Sequence, residues 1–168
     1  SEMCIRDRIP TVPTGIYPAN KKSLNAISSG DHIAIPNDPA NAARAYNLLV
    51  KAGWITLKTG TVAIQATTKD IATNKYNLKI TELDSSTIPR TVKDFDYIVL
   101  PGSVAYNAKV STRKILLAEN IRSDYQLVAA TNKDNANKQW TLDVKKAYQS
   151  KSFQKYLAAH NKDNYWVV

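Results

Sequence analysis

Short apolar runs alternate with helix-period segments from Ile33 onward, a pattern typical of βα units. Residues 33–35 form one such run, which Pro36 ends. After a loop rich in helix-capping residues, apolar side chains recur at spacings of three and four along residues 45–52, until Gly53 ends the stripe. This stretch predicts a strand, a loop and a helix.

The same alternation continues along the rest of the chain. Residues 78–83, 97–100 and 125–131 predict three further strands. Because residues 97–100 are continuously apolar, we expect a strand covered on both faces, as in a largely parallel sheet with helices on each side. Helices are predicted over residues 67–73, 103–109, 137–149 and 152–160, and residues 85–94 predict a cap and a helix that begins at Pro89. The pattern indicates an α/β fold.

The last two predicted helices each carry an apolar stripe that we expect to face the core. The stripe residues are Trp140, Val144, Ala147 and Tyr148 in the first helix, and Phe153, Tyr156 and Leu157 in the second.

Length and composition support one ordinary globular core. The 168 residues are 43% hydrophobic, and the single Cys allows no internal disulfide. With two His and one Cys we expect no metal site of the zinc type. Residues 1–8 show neither a hydrophobic period nor a turn signal, so we expect residues 1–10 to be foreign or disordered. The residues before Cys4 do not fit a lipid-attachment site.

The formal charge of +9 leaves a second interpretation open. A basic nucleic-acid or surface-binding α/β module would carry such a charge. However, the lysines are scattered and the chain contains no block of five like charges, so we favour a protein without a nucleic-acid partner.

Catalytic motifs are absent from the sequence. Ser103 lacks the flanking glycines of a nucleophile elbow, and the five glycines lie singly rather than in a phosphate-binding loop. Asp94 and Asp96 lie at a helix-to-strand junction, where capping explains them. We therefore predict no catalytic residue, no cofactor and no enzymatic activity.

The loop after the first predicted strand is the best candidate for a binding site. A helix that begins near Pro39 directs unpaired N–H groups, and the positive end of its dipole, out of the carboxyl end of a strand. Arg44 follows one turn later and can bind a carboxylate with two hydrogen bonds. Asn37 and Asn41 supply amides that suit a ligand with an ammonium and a carboxylate group. From spacing alone, a simple capped helix with an exposed Arg44 remains the alternative.

Five segments in order resemble one family. Residues 33–44, IAIPNDPANAAR, are similar to the VAIPNDPTN-x-GR signature of the MetQ/NlpA family of bacterial methionine-binding lipoproteins. Four further stretches resemble segments of the same family. They are GIY at residues 15–17 with KKSL at 21–24, LVKAGWITL at 49–57, NLKITEL at 77–83 and IPRTV at 88–92. The resemblance extends from about residue 11 to the C-terminus.

This resemblance implies a class II periplasmic-binding-protein fold, in which two α/β lobes close around one amino acid. By this comparison residues 11–21 enter as a hinge strand, residues 22–123 form a complete second lobe, and residues 124–168 contain the return hinge strand and the last helices of the first lobe. The rest of the first lobe is missing, so the resemblance implies an N-terminally truncated binding protein.

The family's ligand arginine corresponds to Arg44, and its loop asparagines correspond to Asn37 and Asn41. The family's strand-end Asn falls at Pro101–Gly102 here, which implies that a backbone N–H near Gly102 replaces it. The implied function is solute binding for an ABC importer of methionine or a related amino acid. The implied partners are the ligand, a permease and its ATPase subunit, with the intact protein attached by a lipid anchor to the outer face of the cell membrane.

Overall fold

A computed structural model describes residues 3–8, 10–121, 127–161 and 166. The chain divides into two compact units, one formed by Pro13–Asn120 and the other by Ser1–Val12 with Ile121–Val168. Within the predicted hinge strand of residues 11–21, Gly15–Pro18 forms a strand of the central sheet.

The unit Pro13–Asn120 is built on a mixed five-stranded sheet. Its strands are β2 (Gly15–Pro18), β3 (His32–Pro36), β6 (Lys79–Leu83), β7 (Tyr97–Leu100) and β8 (Leu117–Ala118), in the spatial order β6-β3-β7-β2-β8. β3 pairs in parallel with β6 and β7, as predicted, whereas β2 pairs antiparallel with β7 and β8. The predicted strands over residues 33–35, 78–83 and 97–100 are confirmed.

Helix α1 (Pro39–Lys51) covers one face of this sheet, and its apolar stripe explains why. Ala45, Leu48 and Leu49 are buried against β-branched side chains of the sheet, among them Ile33. The short helix α2 (Gly102–Asn107) follows β7, and Ala105 packs in a second apolar cluster with Tyr17, Ile88, Ile98 and Leu100. The sheet is therefore apolar on both sides, as its continuous runs predicted.

Two predicted helices of this unit are wrong. At residues 67–73 the structure has one 3-10 turn, Thr68–Asp70, followed by strand β5 (Ile71–Asn74), which pairs with β4 (Ile55–Leu57). The Asp70 carboxylate accepts the backbone N–H of Thr67 at 2.8 Å, and this local bond closes a single turn. At residues 85–94 the structure has two 3-10 turns, Ile88–Arg90 and Val92–Asp94. The β-branched residues Thr87, Ile88, Thr91 and Val92 disfavour a longer helix there.

The other unit contains a strand pair and two helices. β1 (Met3–Arg8) pairs antiparallel with β9 (Val128–Asn132), and helices α3 (Gln139–Gln149) and α4 (Lys151–His160) follow. Residues 1–8 were predicted to hold no regular element, so β1 corrects that expectation. Residues 125 and 126 of the predicted strand lie outside the described residues.

The predicted apolar stripe of α3 is wrong in part. Trp140 and Val144 are 54% and 44% exposed, and Tyr156 of α4 is also exposed. Instead, α3 buries Thr141, whose hydroxyl donates to the carbonyl of Asn135. The two helices meet through an edge-to-face contact between Tyr148 and Phe153, and α4 buries Leu157. No described helix is both long and apolar enough to span a bilayer.

The carboxyl group of Asp31, just before β3, should make the stability of the fold depend on pH. Burial raises the pKa of its carboxyl, but hydrogen bonds from Lys21 at 2.7 Å and from the Ser28 N–H at 2.9 Å outweigh burial and leave the pKa below its usual value of 3.8. Ionised Asp31 therefore stabilises the fold above that value, and the contribution is lost as the pH falls through the lowered pKa.

We expect Asp31→Asn to lower the free energy of unfolding at pH 7 by about 1–2 kcal/mol. The deficit relative to the original chain should shrink as the pH falls below 3.8. Urea unfolding at several pH values measures it, with the exposed Asp94→Asn as control. A deficit that is equal at pH 7 and pH 2 would contradict the ionic explanation.

Candidate functional site

The candidate site lies at the edge of the sheet where the parallel strands end. Asn37 follows β3 and Gly102 follows β7, and the two strands are neighbours in parallel register. Since Gly15 is opposite both Leu100 and Ala118, the segments around Thr14 and Glu119 reach the same edge. In open α/β sheets this edge is where ligands bind.

The start of α1 is shaped by a cap and a proline. Asp38 is the N-cap, and its carboxylate accepts the backbone N–H of Asn41 at 3.1 Å, while Pro39 occupies the first helical position. The Asn41 amide nitrogen also donates to Asp38, at 3.1 and 3.2 Å. The predicted capping of this helix is confirmed, and its first turn is held in one conformation.

Arg44 forms an ion pair with Glu119 through two of its nitrogens. Its Nε donates to Oε2 of Glu119 at 3.1 Å, and its Nη2 donates to Oε1 of the same carboxylate. Nη1 donates to the amide oxygen of Asn41 at 3.4 Å. The side chains of Arg44 and Glu119 are 19% and 7% exposed. Arg44 is therefore not the exposed side chain expected for a simple capped helix. Two nitrogens of its guanidinium bind a carboxylate of the protein.

Glu119 is also bound to the segment before β2. Its Oε1 accepts the backbone N–H of Thr14 at 2.7 Å, and its own backbone N–H donates to the Thr14 carbonyl at 2.9 Å. Thr14 and Glu119 each lie within two residues of a point where the chain passes to the other unit. The guanidinium is therefore fixed relative to both connecting segments.

A cavity of about 560 Å³, partly open to solvent, lies beside the amino end of α1. Asn37 and Glu82 line it, together with Pro39, Ala40, Ala42 and residues 64–69. The Tyr46 hydroxyl donates to Glu82 Oε1 at 2.6 Å, and burial, followed by this carboxylate, raises the pKa of Tyr46. Neutral Tyr46 thereby fixes Glu82 at the cavity wall.

The structure brings the predicted residues to one edge but gives them different environments. Asn37 is exposed, Asn41 and Arg44 are half-buried and contact each other, and Gly102 is buried at the start of α2. The arrangement offers a guanidinium and amides, a set suited to binding a small carboxylate. Within the described part of the chain, His, Cys, Asp and Glu form no group of three able to hold a metal ion.

Glu119 was not predicted from the sequence, because it lies 75 residues from Arg44. The available signal was weak: Glu119 is an acidic residue directly after the apolar run of residues 115–118, in a strongly basic chain. An acidic residue at a strand end has many ordinary roles, so this position alone does not identify its partner.

Comparisons with known proteins agree with this architecture. The D-methionine-binding lipoprotein MetQ of Salmonella typhi is 33% identical over 141 residues, which are 82% of this chain and 52% of that protein. The chain thus spans about half the length of the curated relatives it matches.

Two solved structures have similar folds. A nutrient-binding protein from Burkholderia cenocepacia, bound to methionine, superposes with a TM-score of 0.85 at 33% identity, over 95% of this chain and 66% of that chain. An ABC transporter periplasmic substrate-binding protein from Coxiella burnetii has a TM-score of 0.84 at 34% identity, over 94% and 66% of the two chains.

The model of one protein family, described as NlpA lipoprotein, matches residues 5–167. The match includes all of Pro13–Asn120 and most of the other unit, with the PNDP segment at the start of α1 and the ion-paired Arg44. The chain belongs to the NlpA lipoprotein family.

Proposed function

We propose that this chain is the ligand-binding part of an ABC importer for methionine or a related amino acid. The ligand would bind at the carboxyl edge of the sheet in Pro13–Asn120, with its carboxylate on Arg44 and its polar groups near Asn37, Asn41 and the backbone of Gly102. On this proposal the protein catalyses no reaction, and transport depends on binding and on lobe closure.

The observation that carries the proposal is the guanidinium fixed at this edge. Arg44 follows the capped first turn of α1, and Glu119 and Asn41 hold its fork. An arginine that is already ordered loses little side-chain entropy when a ligand carboxylate binds, which favours affinity. The relatives' printed names, a D-methionine-binding lipoprotein and a protein bound to methionine, point to the ligand class.

We further propose that Pro13–Asn120 is a complete second lobe and that the other unit is part of a first lobe. Trp140 and Val144 are exposed on α3, where they line a small apolar groove with Ala129 and Ala130. Exposed apolar surface of this kind normally packs against further protein. The match to half the length of the relatives supports the same proposal.

The intact protein would act outside the cytoplasm, held to the membrane by a lipid anchor and working with a permease and its ATPase subunit. This part of the proposal rests on the lipoprotein family and on the printed description of the Coxiella burnetii protein as a periplasmic substrate-binding protein.

Calorimetric titration with L-methionine tests the proposed function. We expect the intact protein to bind it, and the isolated 168 residues to bind at least about tenfold more weakly, because a ligand held by one wall of a cleft loses contacts worth more than 1.4 kcal/mol. Equal affinities would contradict the two-lobe proposal, and titration with other amino acids then defines the preferred ligand.

The alternative function, a basic nucleic-acid-binding module, predicts a different dependence of binding on salt. Binding to a nucleic acid should weaken steeply between about 50 and 200 mM salt, because each phosphate contact releases counterions. Amino-acid binding in a partly buried site should change little over the same range. A chain that binds nucleic acid with a steep salt dependence, and no amino acid, would favour the alternative.

A further inference from the structure

Arg44 is held by one specific edge of its guanidinium. The Glu119 carboxylate accepts from Nε and Nη2, so it binds the fork from the side. Nη1, on the other side of the fork, donates to Asn41 in the first turn of α1. Two of the groups that orient the guanidinium, Glu119 and Asn41, thus lie on different elements.

Glu119 is itself rigidly anchored. The backbone of Thr14 donates to its side chain, and its own backbone N–H binds the Thr14 carbonyl. Lys51, two turns after Arg44 on α1, donates to the carbonyl of Ala118 and to the side chain of Asn120. The segment around Glu119 is therefore bound both to α1 and to the start of β2, and its carboxylate has little freedom to move.

We infer that Glu119 is a positioning residue, which directs the Nη1–Nη2 edge of Arg44 toward the loop of Asn37 and Asn41, where the ligand carboxylate binds. The inference rests on the proposed function. Glu119 does not itself touch the ligand, and its effect passes through Arg44.

Orientation should outweigh charge in this effect. Removing the Glu119 charge leaves the guanidinium uncompensated, which by itself would favour an anionic ligand. However, Glu119→Gln also places an amide N–H2 opposite the N–H groups of Arg44, and a donor facing a donor turns the fork out of its bound orientation. In a largely buried ion pair joined by two hydrogen bonds, loss of geometry has the larger consequence.

The test compares two ligands in the intact protein. L-methionine carries the carboxylate, whereas L-methioninamide keeps the ammonium group and the side chain without it. We expect Glu119→Gln to weaken L-methionine binding by about 10- to 100-fold, by comparison with the loss typical when a partner that orients a metal ligand is removed. Binding of L-methioninamide should change less than about threefold, because this ligand does not use the carboxylate contact.

Two further variants distinguish the orientation of Arg44 from a general loss of structure. Asp96→Asn removes another carboxylate that supports the backbone, through the N–H of His32, and should leave the ratio of the two affinities unchanged. In an Arg44→Lys background, Glu119→Gln should change L-methionine affinity less than about threefold, because the fork that Glu119 orients is gone.

Equal weakening of both ligands by Glu119→Gln, or unchanged L-methionine affinity, would overturn the inference while leaving the proposed function intact. If the original intact protein binds no amino acid, the proposed function fails, and the positioning role fails with it.

Discussion

Arg44→Ala should weaken amino-acid binding by the intact protein by about 2–4 kcal/mol, or roughly 30- to 1000-fold. The substitution removes the only charged group that the proposal places on the ligand carboxylate. It also leaves Glu119, 7% exposed, without the guanidinium that now binds it. Both effects act in the same direction, and calorimetric titration measures their sum.

Two variants control this result. Arg90→Ala removes an exposed arginine from a 3-10 turn in the same unit, and the affinity should stay within about twofold of the original. Arg44→Lys keeps the positive charge without the fork, and we expect an intermediate loss. Unchanged affinity in Arg44→Ala, with a folded protein by circular dichroism, would remove Arg44 from the ligand site.

The second large effect concerns the core that supports the site. Trp54 follows α1 and is 3% exposed, and its ring lies 4.8 Å from the ring of Tyr97, centroid to centroid, at an interplanar angle of 51°. Its backbone N–H donates to the Leu49 carbonyl at the end of the helix. Trp54 thus joins α1 to β7, the two elements that carry Arg44 and precede Gly102.

We expect Trp54→Ala to lower the free energy of unfolding of the 168-residue chain by about 3–5 kcal/mol, because the cavity it leaves is surrounded by rigid elements. Hydrogen exchange of amides in α1 and β7 reports this change for the unit that contains them. Trp140→Ala makes the same substitution at a residue that is 54% exposed, and should cost less than about 1 kcal/mol. Equal losses in the two variants would contradict the assigned core.

The strands β3 and β7 and the helix α1 were predictable from the sequence because their signals are local. The apolar run of β3, the capping loop and the stripe of α1 follow one another directly, so periodicity and capping chemistry are enough to define them. The same reasoning failed at β4 and β5. Thr67 and Asp70 form a helix-start signature, but the turn closes after three residues, and pairing with β4 decides the following residues.

The site was predictable only where its residues lie close together in sequence. Asn37, Asn41 and Arg44 belong to one loop and one helix, and the family resemblance points to the same segment. The partner of Arg44 comes from the far end of the unit, because β8 is brought beside β2 by the sheet topology. Likewise, Trp140 and Val144 have helix periodicity that predicts an apolar face, but periodicity does not state what covers that face.

A crystal structure of the intact protein with L-methionine tests the central claim most directly. We predict that the ligand lies at the carboxyl edge of the sheet, with its carboxylate within hydrogen-bonding distance of the Arg44 guanidinium. Glu119 should still bind the Nε side of the same fork. A ligand bound elsewhere, or one whose carboxylate is held by another cation while Arg44 contacts protein groups alone, would contradict the account.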